Sequence, residues 1–200
     1  MENAYPGYGR GDPPFDKEKP MDAVALLTQQ HEEAKTLFER IEASTDPAEK
    51  EQLLTEVIAA LRAHTKIEEE VLYPIIREQM KGGSKMFEEA MQEHQEAKKA
   101  MKELESLTPG ESDWQDQFEI LMHGVLHHAK EEEAEMFPEM KETFSAERLN
   151  ELGEQLEADG SGQIVVDLPK DELLEQAKAS DIEGRSTMDK SQLEEALGHR

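Results

Sequence analysis

Two stretches of the chain repeat one arrangement of polar residues inside an apolar stripe. The first is His64-Thr65-Lys66-Ile67-Glu68-Glu69-Glu70-Val71-Leu72-Tyr73-Pro74. The second is His128-Ala129-Lys130-Glu131-Glu132-Glu133-Ala134-Glu135-Met136-Phe137-Pro138. Each sets a Glu four residues after a His and closes on an aromatic–Pro pair. Residues four apart on a helix lie about 40° from one another around the axis, so each His and its Glu share a face. The neighbours say which face. Leu54, Val57, Leu61, His64, Glu68, Val71 and Ile75 follow alternating steps of three and four, as do Phe118, Leu121, Val125, His128 and Glu132. That is the inner seam of a helix packed in a bundle. A carboxylate on such a seam costs several kcal/mol unless something offsets its charge.

Two further segments have the same rhythm. Val24, Leu27, His31, Ala34, Phe38 and Ile41 make a helix that begins near Asp22, and Phe87, Met91, His94, Ala97, Met101 and Leu104 make another. His31-Glu32-Glu33-Ala34-Lys35 matches His94-Gln95-Glu96-Ala97-Lys98, so the chain is two related helical hairpins. Asp46 with Pro47 and Glu49, and Ser112 with Gln115, are expected helix starts. Gly82-Gly83-Ser84 and Thr108-Pro109-Gly110 are expected breaks, with a kink or fresh helical segment at Pro74 and Pro138. The pattern predicts an all-α, up-down-up-down four-helix bundle over residues 21–158. Leu149, Leu152 and Leu156 mark an extra short helix against it.

The flanks differ. Residues 1–20, rich in Gly, Pro and Tyr, are expected to form a disordered arm, and 159–166 a linker. Residues 167–200 are expected to form a small helix-loop-helix module. They resemble the N-terminal module of the Rho termination factor and the related SAP-type modules, which often touch nucleic acid. Acids outnumber bases in this segment, so an interaction or packing role is the expectation.

Charge and composition exclude several functions. The chain holds 47 Asp and Glu against 22 Lys and Arg, a formal charge of -25. No surplus of cations exists to displace phosphate counterions or to bind an anionic membrane, so neither nucleic acid nor membrane is an expected partner. The absence of Cys removes thiolate metal sites, iron–sulfur clusters and Cys nucleophiles. With no run of eighteen apolar residues and no signal-peptide pattern, a cytoplasmic location is expected.

A lone His on an apolar face is commonly a hydrogen-bonded core residue. Four seam histidines on four successive helices, with two seam glutamates on alternate helices, point instead to metal. Nitrogen and carboxylate donors suit iron, manganese or zinc. The candidate ligands are His31, His64, Glu68, His94, His128 and Glu132. Each Glu could bridge two ions, with His31 and His64 serving one and His94 and His128 the other. An open position would remain for a small ligand. Ferritin-like di-iron bundles require Glu-x-x-His. Here Leu61, Val125 and Met91 stand three residues before His64, His128 and His94. His123, His127, Glu69 and Glu133 fall off the seam, and Tyr73 and Phe137 are expected to pack the bundle end.

In His31, His64-xxx-Glu68, His94 and His128-xxx-Glu132, with Tyr73-Pro74 and Phe137-Pro138, the chain resembles the hemerythrin-like His-His-Glu cation-binding domains over roughly residues 22–157. The resemblance implies two non-haem iron ions with an oxo or hydroxo bridge, and a role in binding or sensing O2, NO, peroxide or iron. Lys98 stands where the oxygen-carrying members have a further His, and Glu132 follows its His by four residues rather than five. Simple oxygen transport is therefore not implied. The alternatives are a di-iron enzyme consuming peroxide or NO, and a metal-free helical interaction protein.

Overall fold

The computed structural model describes residues 21–159, 170–179, 182 and 184–196. The expected arm at 1–20, and all of the expected linker except Asp159, lie outside the described residues. Asp159 itself ends a helix. Among the described residues there is no strand.

Helix α1 (Ala23–Ala43) begins as expected, with the Asp22 carboxylate accepting the Ala25 N–H at 2.9 Å. Helix α2 (Pro47–Ile67) starts on Asp46, which accepts from the Ala48 N–H, with Pro47 where no N–H is needed. A π turn, Glu68–Leu72, then leads into α3 (Tyr73–Gln79). Gly82, at φ 76°, turns the chain into α4 (Gly83–Leu104). Helix α5 (Ser112–Glu131) passes through a second π turn, Glu132–Met136, into α6 (Phe137–Thr143). The start of α5 differs from expectation. Ser112 is already helical and its hydroxyl bonds Asp113, while the cap position belongs to Glu111, whose side chain makes no capping bond.

The four limbs are α1, α2–α3, α4 and α5–α6. Successive limbs pack as antiparallel neighbours and α1 closes the ring against α5. Helix α7 (Ala146–Asp159) lies along α1 and the first π turn. Helices α8 (Lys170–Ala179) and α9 (Lys190–Ala196) pack on each other. Leu173, Ala177 and Leu193 belong to the same contiguous apolar cluster as Phe38, Val57 and Trp114 of the bundle.

The π turns have a cause in the sequence. Proline has no N–H, and its ring collides with the carbonyl four residues back. At Pro74 and Pro138 the backbone widens by one residue instead, so that the Tyr73 and Phe137 N–H groups bond the Glu68 and Glu132 carbonyls. The widening corrects the expected seam. Val71 and Ile75 are only half-buried, and Leu72, Tyr73 and Ile76 take the interior places.

The core has two apolar ends. One is built on Leu37, Phe38, Leu53, Met101, Trp114 and Phe118, and the other on Leu27, Ile67, Ile76, Phe137, Met140 and Leu152. Between them lies a buried layer of His31, His64, Glu68, His94, His128 and Glu132.

Candidate metal centre

All six residues singled out by the repeat converge in this layer, and every one is buried. Their contacts fall into two classes. Toward the helix surfaces each imidazole Nδ1 makes a short hydrogen bond: His31 to Glu133 at 2.9 Å, His64 to Gln30 at 2.8 Å, His94 to Glu69 at 2.9 Å and His128 to Glu93 at 2.7 Å. A carboxylate or amide oxygen only accepts, so these Nδ1 atoms carry the proton and the Nε2 lone pairs face inward.

Inward, the spacing is different. His31 Nε2 stands 3.3 Å from Glu132, His64 Nε2 3.3 Å from Glu68, His94 Nε2 3.3 Å from Glu68 and His128 Nε2 3.7 Å from Glu132. Charge-assisted hydrogen bonds close to about 2.7–2.9 Å. Donor atoms each about 2.1 Å from a shared ion stand about 3.0–3.4 Å apart, for octahedral and tetrahedral angles respectively. Three of the four inner contacts have the second spacing, and His128–Glu132 is longer still. His31 Nε2, Glu68 Oε1 and Glu132 Oε2 are fully buried with no hydrogen-bond partner, a cost that a bound cation would remove.

The donors form two overlapping groups, His31 with His64, Glu68 and Glu132, and Glu68 with His94 and His128. The rings pair within each half, His31 on His64 at 5.0 Å between centroids and His94 on His128 at 4.7 Å. Glu68 touches one His of each pair, and so does Glu132.

The two halves are not equivalent. Tyr73, expected to pack the bundle end, does so with its ring but sends its hydroxyl into the layer. That oxygen lies 2.9 Å from Glu132, 3.1 Å from His94, 3.3 Å from His128 and 3.3 Å from Glu68. Its counterpart Phe137 stacks on His31 at 5.7 Å and brings no polar atom. The π turn explains why helical spacing missed Tyr73. Five residues on an α-helix are about 140° apart, but the wider turn brings Tyr73 onto the side of Glu68.

Lys98 sits outside the layer and places its ammonium 2.6 Å from both oxygens of Glu69, the partner of His94. Glu69 and Glu133 are turned away from the His of their own helix, as expected, and are instead partners of His94 and His31 on other helices. Gln30 and Glu93 were not singled out in the sequence. Their only signal is adjacency to His31 and His94, which aims them at the neighbouring helix. His123 and His127 are exposed.

Electrostatics separate the two carboxyls. Burial and then the negative charge of Glu132 push Glu68 well above its ordinary value. Burial acts on Glu132 too, but the close approach of His31 and the surrounding imidazoles outweigh it and bring it down to about 2. Burial and proximity to both carboxylates hold the Tyr73 phenol well above its ordinary value. Burial, helped by the charge of His31, keeps His64 neutral.

Beside the histidines is a cavity of about 20 Å³, enough for one molecule the size of water. Ala34, Ala60, Leu61, Ala97, Gly124 and Val125 give it apolar walls. Among the described residues no helix is long and apolar enough to cross a membrane.

Residues 22–140, more than half of the chain, match the family described as the hemerythrin HHE cation binding domain. A DNA nickase from Nostoc sp. (strain PCC 7120 / SAG 25.82 / UTEX 2576) is 25% identical over 138 residues, which cover 69% of this chain and 39% of that protein. The chain thus spans well under half the length of that relative. No solved structure matches significantly.

Proposed function

The chain belongs to the hemerythrin HHE cation-binding family, and from that premise we propose that its buried layer holds two non-haem iron ions and binds a small ligand such as O2, NO or peroxide. The observation that carries this is the spacing of the inward donors at 3.3–3.7 Å around two shared carboxylates, against 2.7–2.9 Å for the outward hydrogen bonds. His31 and His64 would hold one ion and His94 and His128 the other, with Glu68 and Glu132 between them. The donor set also admits manganese or zinc.

Bound iron supplies Lewis-acid and one-electron chemistry. The chain's own residues set its terms. Gln30, Glu69, Glu93 and Glu133 fix the tautomer and orientation of the four imidazoles. Tyr73 offers a further oxygen on the His94/His128 side, whereas the His31/His64 side has only the ring of Phe137. The His31/His64 side thus lacks that oxygen, and the apolar cavity lined by all four histidines has room for one molecule the size of water. A peroxide- or NO-consuming enzyme is a second reading of the same donor set. The DNA activity in the Nostoc relative's name does not extend to this reading, because a chain of charge -25 has no cation surplus for phosphate.

Metal analysis of protein from iron-supplied cells is expected to give close to two iron per chain. The aerobic protein is expected to show near-ultraviolet charge-transfer absorption. Purified chain without any transition metal would sink the proposal. Steady peroxide turnover lost in His64→Ala would favour the enzyme over the binding module.

A further inference from the structure

Glu93 does two things at once. Its Oε2 accepts from His128 Nδ1 at 2.7 Å, while its Oε1 points outward to His127. His127 Nε2 stands 4.0 Å from Glu93 Oε1 and 3.3 Å from Glu131 Oε1. The side chains of His127 and Glu131 are 64% and 50% exposed, and that of Glu93 only 24%. One imidazole nitrogen and two carboxylate oxygens, all within 4.8 Å of one another, therefore converge at the protein surface.

The 4.0 Å separation is too long for a hydrogen bond. The two contacts bracket the roughly 3.4 Å between donors each about 2.1 Å from a tetrahedral cation. His127 and Glu131, four residues apart, share one face of α5, and Glu93 reaches across from α4. Three protein donors with the remaining positions open to water make a weak, exchangeable site for a first-row divalent ion.

We propose that Glu93, His127 and Glu131 form a second, exposed divalent-cation site that shares the Glu93 carboxylate with the buried centre and stages ions on their way into it. The staging role rests on the reading of the buried layer as a metal centre; the surface site itself does not. An ion held at Glu93 Oε1 is one carboxylate away from His128, whose ring turns its other nitrogen into the buried layer.

Manganese(II) added to the iron-loaded full chain, with free ion followed by its electron paramagnetic resonance signal, tests the site. One manganese per chain is expected to bind. The His127→Gln/Glu131→Gln double variant should weaken that binding by about tenfold or more while keeping the iron content of the parent. No bound manganese, or equal binding by the variant, overturns the site. Iron(II) uptake by metal-depleted chain is expected to slow several-fold in the variant and reach the same endpoint. An unchanged rate overturns the staging role. A parent chain that takes up no iron at all counts against the buried centre, and manganese binding then still decides the surface site.

Discussion

Glu68 and Glu132 hold equivalent places in the two halves, yet their surroundings push their acidities in opposite directions. In metal-depleted protein Glu68 is raised well above 4.5, first by burial and then by the charge of Glu132. Stability from a raised carboxyl is complete below pH 4.5 and is lost as pH climbs through the folded-state value. Against Glu68→Gln, the depleted parent should therefore lose stability from about pH 4.5 upward, by at most about 1.4 kcal/mol per pH unit. Thermal melts of both proteins across that range check it, and a constant difference would refute the assignment. Tyr73→Phe keeps the buried ring and removes the oxygen that touches four polar residues. Iron affinity by chelator competition should fall about 10–100-fold, with helicity unchanged. The histidines and glutamates themselves were readable, because i,i+4 spacing on an apolar seam leaves them one direction to face. Their partners Gln30, Glu69, Glu93 and Glu133 were not, since each meets a ring from another helix, and such a pair leaves no trace in local spacing.

Helix limits at Asp22 and Asp46 followed from capping chemistry, while Ser112 misled because its hydroxyl found Asp113 instead of the helix end. The π turns are the larger surprise. Proline flagged a disturbance, but a kink and a one-residue widening look alike in sequence. Their consequences differ. Widening moves the seam from Val71 to Leu72 and swings Tyr73 inward, so an element-level detail changes the chemistry of the centre. Helix α7 depends on an equally local feature. A Cβ on Gly153 would meet the Met21 carbonyl at 2.1 Å and the Ala23 N at 3.0 Å, where α7 crosses the start of α1. Gly153→Ala must separate those backbones and should cost roughly 1–3 kcal/mol, the range for overpacked cores. Denaturant unfolding measures it, and a neutral result would mean that α7 does not sit this closely.

Across the whole molecule, a polar layer lies between two apolar ends, so ions bound there would tie stability to metal. Ions that bind only the folded chain stabilise it by about 2.7 kcal/mol when free ion is a hundredfold above its dissociation constant. For a domain of this size that is a rise in Tm of roughly 5–10 °C. Iron should raise the melting temperature of the parent by this order and leave His128→Ala unmoved; equal melting with and without chelator would favour the metal-free scaffold. From residue order alone followed the all-α class, the four seams, and six polar side chains directed at one axis. Periodicity and the cost of burying charge act within single helices, where neighbours in sequence are neighbours in space. Folding added what periodicity cannot carry: the outward hydrogen bonds, the Tyr73 hydroxyl that makes the halves unequal, the surface trio around Glu93, and the joining of α8 and α9 to the bundle's apolar cluster. Each of these depends on residues far apart in the chain, or on a backbone turn wider than the α-helix, and so exists only once the helices are side by side.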